Sequence, residues 1–297
     1  MSVASALLRG KAPRTTTVTR PRTRQLRPWY QNPPLIAGLG VTGLLVLVAI
    51  LAPLISPYDP LAQDLLNARQ GPSVEHWLGT DTLGRDVLSR LIWGAQVNLR
   101  IGFLAVLIPF VFGTIVGAIA GYFGGWFDII IMRIVDIFYA LPFYVIVIAL
   151  VFVLGSGESS IYLAIALVSW TAYATIVRGE VMVAKQLDYV RGARLGGLPK
   201  WRILVRHIGP NVMSQVLVYA MSDIVMDILA VVTLGYLGLG ITPPTPEWGS
   251  MIVEGQTFIT TNWLMATIPG IAVVITSLGL SWLGDGLSDH LNPDRRK

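Results

Sequence analysis

Asp223 and Asp227 stand one helical turn apart inside a long run of otherwise uncharged residues. Residues four apart share a helix face, so the pair can present two carboxylates together. They fall about 11 and 15 residues into the run, near its midpoint at 1.5 Å per residue. Acids at such a depth face a protein interior or water. Two chemistries fit: an acidic patch on a cavity wall that attracts an amine, or structural pairing with a polar group of a neighbouring chain, with a protonated acid as its variant. Asp136 follows Arg133 by three residues, the spacing of a local ion pair. Catalytic and nucleotide-binding signatures are missing. His76, His207 and His290 are isolated, with no H-E-x-x-H, no G-x-S-x-G and no cysteine, so no metal-ligand set or nucleophile constellation is present. Gly10-Lys11 is followed by Ala12 and lacks the upstream glycine of a phosphate loop. Gly38, Gly40 and Gly43 match G-x-G-x-x-G but lie in an apolar run with neither a preceding strand nor a later ribose-binding acid, which leaves helix packing or coincidence.

The elements that must position these residues follow from composition. Of 297 residues, 54% are hydrophobic and 13% charged, about half the charge of a soluble domain. Apolar runs at 35–57, 101–127, 134–157, 159–177, 212–240 and 255–284 each approach or exceed the ~20 residues a bilayer core requires. In lipid the backbone must satisfy its own polar groups, so these runs predict six transmembrane helices and an all-α integral membrane fold. Eighteen of the 22 Lys and Arg fall in residues 1–34, at Arg133, in 178–206 and at the C-terminus. The positive-inside rule then predicts a multi-pass chain with both termini in the cytoplasm. The net charge of +5, so distributed, fits contact with membrane lipid and argues against nucleic acid. Residues 1–34 hold seven basic and no acidic residues, are rich in Thr and Pro, and predict a disordered cytoplasmic tail before an uncleaved first helix. Residues 58–100 form an external segment. In it Asp81 is expected to cap a helix starting near Thr82, whose apolar face (Leu83, Val87, Leu88, Leu91, Ile92) lies along the outer interface. Residues 101–290 form a core of five helices, and 291–297 a cytoplasmic end. Gly113, Gly117 and Gly121, spaced by four, predict a smooth stripe for close helix approach.

The cytoplasmic loop 183–210 reads as helix–turn–helix. A short helix over 188–195 is broken by Gly196, Gly197, Leu198 and Pro199. An amphipathic helix follows over 201–208 (Trp201, Leu204, Val205 and Ile208 apolar), and Pro210 precedes the next span. Such a projection serves either as a grip for a soluble partner or as a basic loop that sets topology. It resembles the ATPase-coupling loop of ABC importer permeases, with pattern E-A-A, then Gly, then I-x-L-P. Ala193, Gly197, Ile208 and Pro210 match, whereas Arg191 replaces the glutamate, Gly192 the first alanine and Gly209 the leucine. Other stretches resemble the C-type permease subunit of the dipeptide/oligopeptide family: Asn32-Pro33 with Pro53 to Pro60, His76-Trp77-Leu78-Gly79-Thr80-Asp81 with Gly84-Arg85-Asp86-Val87-Leu88-Ser89-Arg90, Leu237-Gly238-Leu239-Gly240 with Pro243-Pro244 and Glu247-Trp248-Gly249, and Leu283-Gly284-Asp285-Gly286-Leu287.

The resemblance covers about residues 30–294 and implies a type I ABC importer permease that forms half of a peptide translocation pathway by alternating access. It implies a second permease subunit, two ATPase subunits or domains that carry ATP and Mg, and an external substrate-binding protein; this chain itself would bind no cofactor and catalyse nothing. Arg191, Gly192, Ala193, Gly197, Leu198, Pro199, Ile208 and Pro210 would form the coupling loop. Pro243, Pro244, Glu247 and Trp248 would form an external docking loop, and Asp223 with Asp227 would line the path. In the family a glutamate commonly precedes the L-G-L-G stretch; here Val231 holds that place. Nickel, glutathione or oligosaccharide are alternative cargoes of the same architecture, the scattered histidines disfavouring nickel. An intramembrane enzyme and a membrane scaffold are the rivals from other classes.

Overall fold

A computed structural model describes residues 29–291; the basic tail 1–28 and the C-terminal 292–297 lie outside the described residues. The chain is all-helical: α1 (Pro33–Ile55), α2 (Val87–Phe123), α3 (Gly125–Tyr139), α4 (Phe143–Leu154), α5 (Glu158–Ala184), α6 (Asp188–Leu195), α7 (Lys200–Ile203), α8 (Gly209–Tyr236), α9 (Trp248–Gln256) and α10 (Leu264–Leu291). Among the described residues the sole β feature is a single bridge between Thr80 and Asp86. α1, α2, α5, the run Lys200–Tyr236 and α10 are each long and apolar enough to cross a bilayer, and α3 with α4, bent by 87° at their junction, are apolar enough together to make a sixth when taken as one span. The bend has a local cause. Leu141 precedes Pro142, and the proline ring disfavours helical backbone in the residue before it.

α2 packs on α5, α8 and α1, while α10 packs on α1, α8 and α9. Ile101, Val147, Ile161, Ile165 and Leu234 are fully buried where α2, α4, α5 and α8 meet. The opposite faces stay greasy, with Leu54, Phe112, Phe152 and Val153 exposed, as a bilayer solvent permits. The α2–α5 crossing rests on the glycine stripe. A Cβ at Gly113, Gly117 or Gly121 would lie 2.5, 2.4 or 2.7 Å from the carbonyl oxygens of Trp170, Ala174 and Arg178 respectively. Two helix backbones therefore touch along two full turns. Of the three glycines in the G-x-G-x-x-G match, Gly38 is a packing residue, its missing side chain occupied by the backbone of Leu283, while Gly40 and Gly43 face open space.

Four expected boundaries move. The amphipathic stretch after Asp81 is the first turns of α2 rather than a separate interfacial helix. The helix runs on through its polar residues: Asn98 Nδ2 donates to Gly94 O (2.9 Å), Gln96 Nε2 to Ala49 O (3.1 Å), and Arg100 pairs with Glu158 (2.9 Å). The helix cap is Asp86, which accepts from Ser89 N (2.7 Å); Asp81 is consumed by the preceding turn. Trp201 to Ile208 does not form an isolated helix, because α7 runs through a wide π-turn, Leu204–Ile208, into α8. Gly209 N bonds to Leu204 O, five residues back, and Pro210 sits at the start of α8 inside continuous helix. A π-turn changes the backbone pairing where proline supplies no N–H. Lastly, the run from 255 to 284 is divided: α9 closes at Gln256 and α10 opens at Leu264.

Candidate functional site

Mid-bundle, α8 turns Asp223 and Asp227 toward α5 and the α3–α4 elbow. Asp223 Oδ2 accepts the hydroxyl of Tyr173 at 2.8 Å, and Tyr219 packs edge-on against the Tyr173 ring, centroids 4.9 Å apart. Asp227 is 1% exposed, and its Oδ2 has no hydrogen-bond partner among the described residues. Both acids line a cavity of about 360 Å³, together with Phe138, Tyr139 and Phe143 from the elbow, Ser169 and Thr171 from α5, and Tyr219 and Met226 from α8. The sequence pointed to the two acids but not to Tyr173 and Tyr219. The available signal was Ser169 and Tyr173, four residues apart and so on one face of an apolar span.

At one end of the bundle, α6 and α7 project as expected. The α6 stop is a Schellman turn: Gly197 N bonds to Arg194 O (3.0 Å) and Leu198 N to Ala193 O (3.3 Å), with Gly197 at φ +74. That left-handed backbone suits glycine, and Pro199 then prevents the helix from resuming. Val190, Ile203 and Ile208 anchor the hairpin in the core, with Ala193 and Leu198 packed against it. The apolar face expected on 201–208 is split. Ile208 points inward and Leu204 is half-buried, while Trp201 (63%) and Val205 are exposed; on α6, Leu195 is 90% exposed. Lys185 Nζ donates to Tyr122 O (2.6 Å) and both Lys185 and Arg194 lie over the Tyr122 ring. Nε and Nη2 of Arg178 clamp the Asp128 carboxylate of α3 at 2.5 and 2.7 Å. Arg191 and Gly192 are exposed on α6, Arg191 with only a loose 3.8 Å contact to Asp188. Arg133 and Asp136 pair at 3.4 Å on an exposed surface.

At the opposite end, residues 56–86 fold over the starts of α2 and α9. Asp81 accepts from Leu83 N (2.8 Å), Arg85 N (3.0 Å) and Arg85 Nε (2.6 Å), and pairs with Arg90. Arg85 and Arg90 both reach Glu254 of α9, at 2.9 and 2.6 Å. His76 Nδ1 is 2.9 Å from Asp86. Thus the H-W-L-G-T-D and G-R-D-V-L-S-R stretches are a clamp that joins α2 to α9. The docking-loop residues part company. Pro243 and Pro244 are exposed, but Glu247 and Trp248 are buried, which corrects the expectation of a surface role for them. Glu247 caps α9, accepting from Gly249 N (2.6 Å) and Ser250 N (2.9 Å). Trp248 Nε1 donates to Leu91 O (3.1 Å) and its ring fills the space left by Gly94. Glu247 lies between α8 and α10, outside the spanning helices; burial pushes its carboxyl up to about 7, against the opposing pull of the two backbone N–H bonds.

This arrangement of a bent six-span bundle, a projecting hairpin and a clamped opposite end agrees with comparison to known proteins. Residues 113–297 match the family of binding-protein-dependent transport system inner membrane components, and residues 23–72 match the N-terminal transmembrane domain of oligopeptide transport permease C. The chain is 42% identical over 266 residues to the glutathione transport system permease protein GsiD of Pectobacterium atrosepticum, covering 89% of this chain and 87% of that one. It is 36% identical over 277 residues to the dipeptide transport system permease protein DppC of Alkalihalophilus pseudofirmus, covering 93% and 91%. With these matches spanning nearly its whole length, the chain belongs to the permease family of binding-protein-dependent transport systems.

Proposed function

We propose that this chain is one of two permease subunits in an ATP-driven importer of small peptides, and that it acts by alternating access. The observation that carries this reading is the α6–α7 hairpin. Its inner residues are locked into the core, while Leu195, Trp201 and Val205 stand exposed on its crest beside a basic fringe. Large apolar side chains held rigidly outside a spanning bundle are the chemistry of a protein contact, since aromatic anchors dominate interface energetics. Two ATPase subunits, which carry ATP and Mg, grip this crest. Their closure and opening tilt the helices through the unbroken α7–π-turn–α8 run, which carries Asp223 and Asp227 in the middle of α8. This chain supplies no catalytic group and binds no cofactor.

The basic distribution sets this hairpin and both termini in the cytoplasm and the Pro243–Pro244 loop outside, where a substrate-binding protein docks. A second permease completes the pathway. The dipeptide and glutathione systems named by the relatives both move short peptides, so a small peptide is the cargo; the higher identity to the glutathione permeases favours glutathione as the second reading. Leu195→Asp tests the assignment. It places a charge on an exposed crest, so thermal stability stays within about 0.5 kcal/mol, while ATPase subunits cease to co-purify and peptide-stimulated ATP hydrolysis is lost. Retained coupling sinks the proposal. Orientation has a direct check: the chain has no cysteine, so Lys200→Cys and Pro243→Cys give single labels. An impermeant maleimide applied to whole cells should modify only the latter.

A further inference from the structure

We infer that the cavity at the α3–α4 elbow binds the primary ammonium group of the transported molecule, with Asp227 as the principal counter-charge and Asp223 as its support; the identity of the cargo as a peptide rests on the function proposed above. Four observations meet at this place. The two acids lie one turn apart on α8 and both line the same cavity. Among the described residues neither forms an ion pair with Lys or Arg, and no basic side chain lines the cavity. Asp223 has a partner, the Tyr173 hydroxyl, whereas Asp227 Oδ2 is buried without one. A buried polar oxygen without a partner is costly, and its presence in a cavity wall marks where a donor is missing.

The walls identify the donor. Tyr139, Phe143 and Tyr219 surround the acids with aromatic rings, whose negative faces attract cations and repel carboxylates. An acid paired with aromatic walls therefore selects a compact cation. An ammonium offers three N–H donors, enough for both carboxylates at once. The cavity of about 360 Å³ lies in the lower part of the range of small-molecule sites, which suits one end of a peptide rather than the whole. Its rim residues Tyr139 and Met226 are exposed, so the remainder of the molecule can extend out of the chain toward a second subunit. A peptide amino terminus and the free α-ammonium of a γ-linked tripeptide share this chemistry.

The test uses the complete transporter in nanodiscs and proteoliposomes, with Asp223→Asn, Asp227→Asn and Asp227→Glu in this chain. Saturation-transfer NMR compares n-butylammonium with neutral n-butanol. The wild type should show a signal for the ammonium that Asp227→Asn lowers at least threefold and Asp227→Glu largely restores, the butanol signal staying constant. Uptake of trialanine from saturated binding protein should fall about tenfold in Asp227→Asn and recover in Asp227→Glu. Equal loss of both NMR probes overturns the site, as does an ammonium signal indifferent to Asp227. Should trialanine not be imported by the wild type while the ammonium signal keeps its dependence on Asp227, the peptide reading fails and the ammonium site stands. Import that is robust and indifferent to Asp227→Asn removes the site from the path and overturns the inference.

Discussion

Replacing Gly117 by alanine adds one methyl group at the tightest point of the α2–α5 crossing. The new Cβ would lie 2.4 Å from Ala174 O and 2.8 Å from Ala174 Cα, so the helices must part by about 1 Å to reach ordinary van der Waals contact. α5 has little room to withdraw, because Tyr173 and Ala174 are fully buried and α4 and α8 pack on its other sides. Overpacking of this kind costs about 1–3 kcal/mol, offset by up to ~1 kcal/mol of helix propensity. Gly179, also on α5, supplies the control: a Cβ there meets nothing within 4 Å, so Gly179→Ala retains the propensity gain without the clash. The two variants should differ in stability by about 1–3 kcal/mol, hence by roughly 2–12 °C in melting temperature at ~2–4 °C per kcal/mol for a domain of this size. Thermal unfolding of both in the same nanodiscs reads this directly. Because Tyr173 adjoins Ala174, the shift also disturbs the bond from Tyr173 to Asp223, and transport should fall in Gly117→Ala alone. Equal melting temperatures for the two variants would refute the claim that these backbones touch.

Three more outcomes follow from the geometry. Gly197→Ala forces a side chain into left-handed backbone at φ +74 and should cost about 1–2 kcal/mol, whereas Gly192→Ala, with open space around it, should be neutral or stabilising; melting curves separate them, and the first should also weaken ATPase association by displacing the crest. Arg191→Glu reverses an exposed charge on α6 and should lower coupled ATP hydrolysis several-fold without changing the melting temperature; unaltered hydrolysis would show that this position makes no contact. Glu247 carries a pH signature. Its folded pKa of about 7 lies above the ordinary 4.5, so its contribution to stability is full below about pH 4.5 and is lost as pH rises through 7, amounting to about 3 kcal/mol at most. Glu247→Gln lacks this slope, so the variant's melting temperature should gain on the wild type's between pH 5 and 8; parallel curves would refute the shift.

What the sequence discloses and what it hides divide along a physical line. Span hydropathy is local and one-dimensional, so the helices over Pro33–Ile55 and Glu158–Ala184 stand out from composition, and helical spacing alone sets Asp223 and Asp227 on one face. The Schellman stop at Gly197 and the glycine stripe are equally local. Partners remote in the chain are not legible. Tyr173 meets Asp223 across 50 residues, and Arg90 meets Glu254 across 164, which no pattern of period 3.6 reports. The continuity of α2 through residues 96–100 is equally hidden: Gln96 and Asn98 find carbonyl acceptors inside the bundle, so polar residues need not interrupt a helix when a neighbour satisfies them. The same principle recasts the distinctive motifs. Asp81, Arg85 and Arg90 are buried in one ion-pair cluster with Glu254, and Glu247 and Trp248 are buried on backbone partners; such groups are costly to change singly. A motif rich in charge at the end of a membrane bundle is therefore more informative about how the spans are clamped than about what docks there. The surface proposed to meet the ATPase subunits is made of exposed residues such as Leu195 and Trp201, and those carry almost no signature in a single sequence.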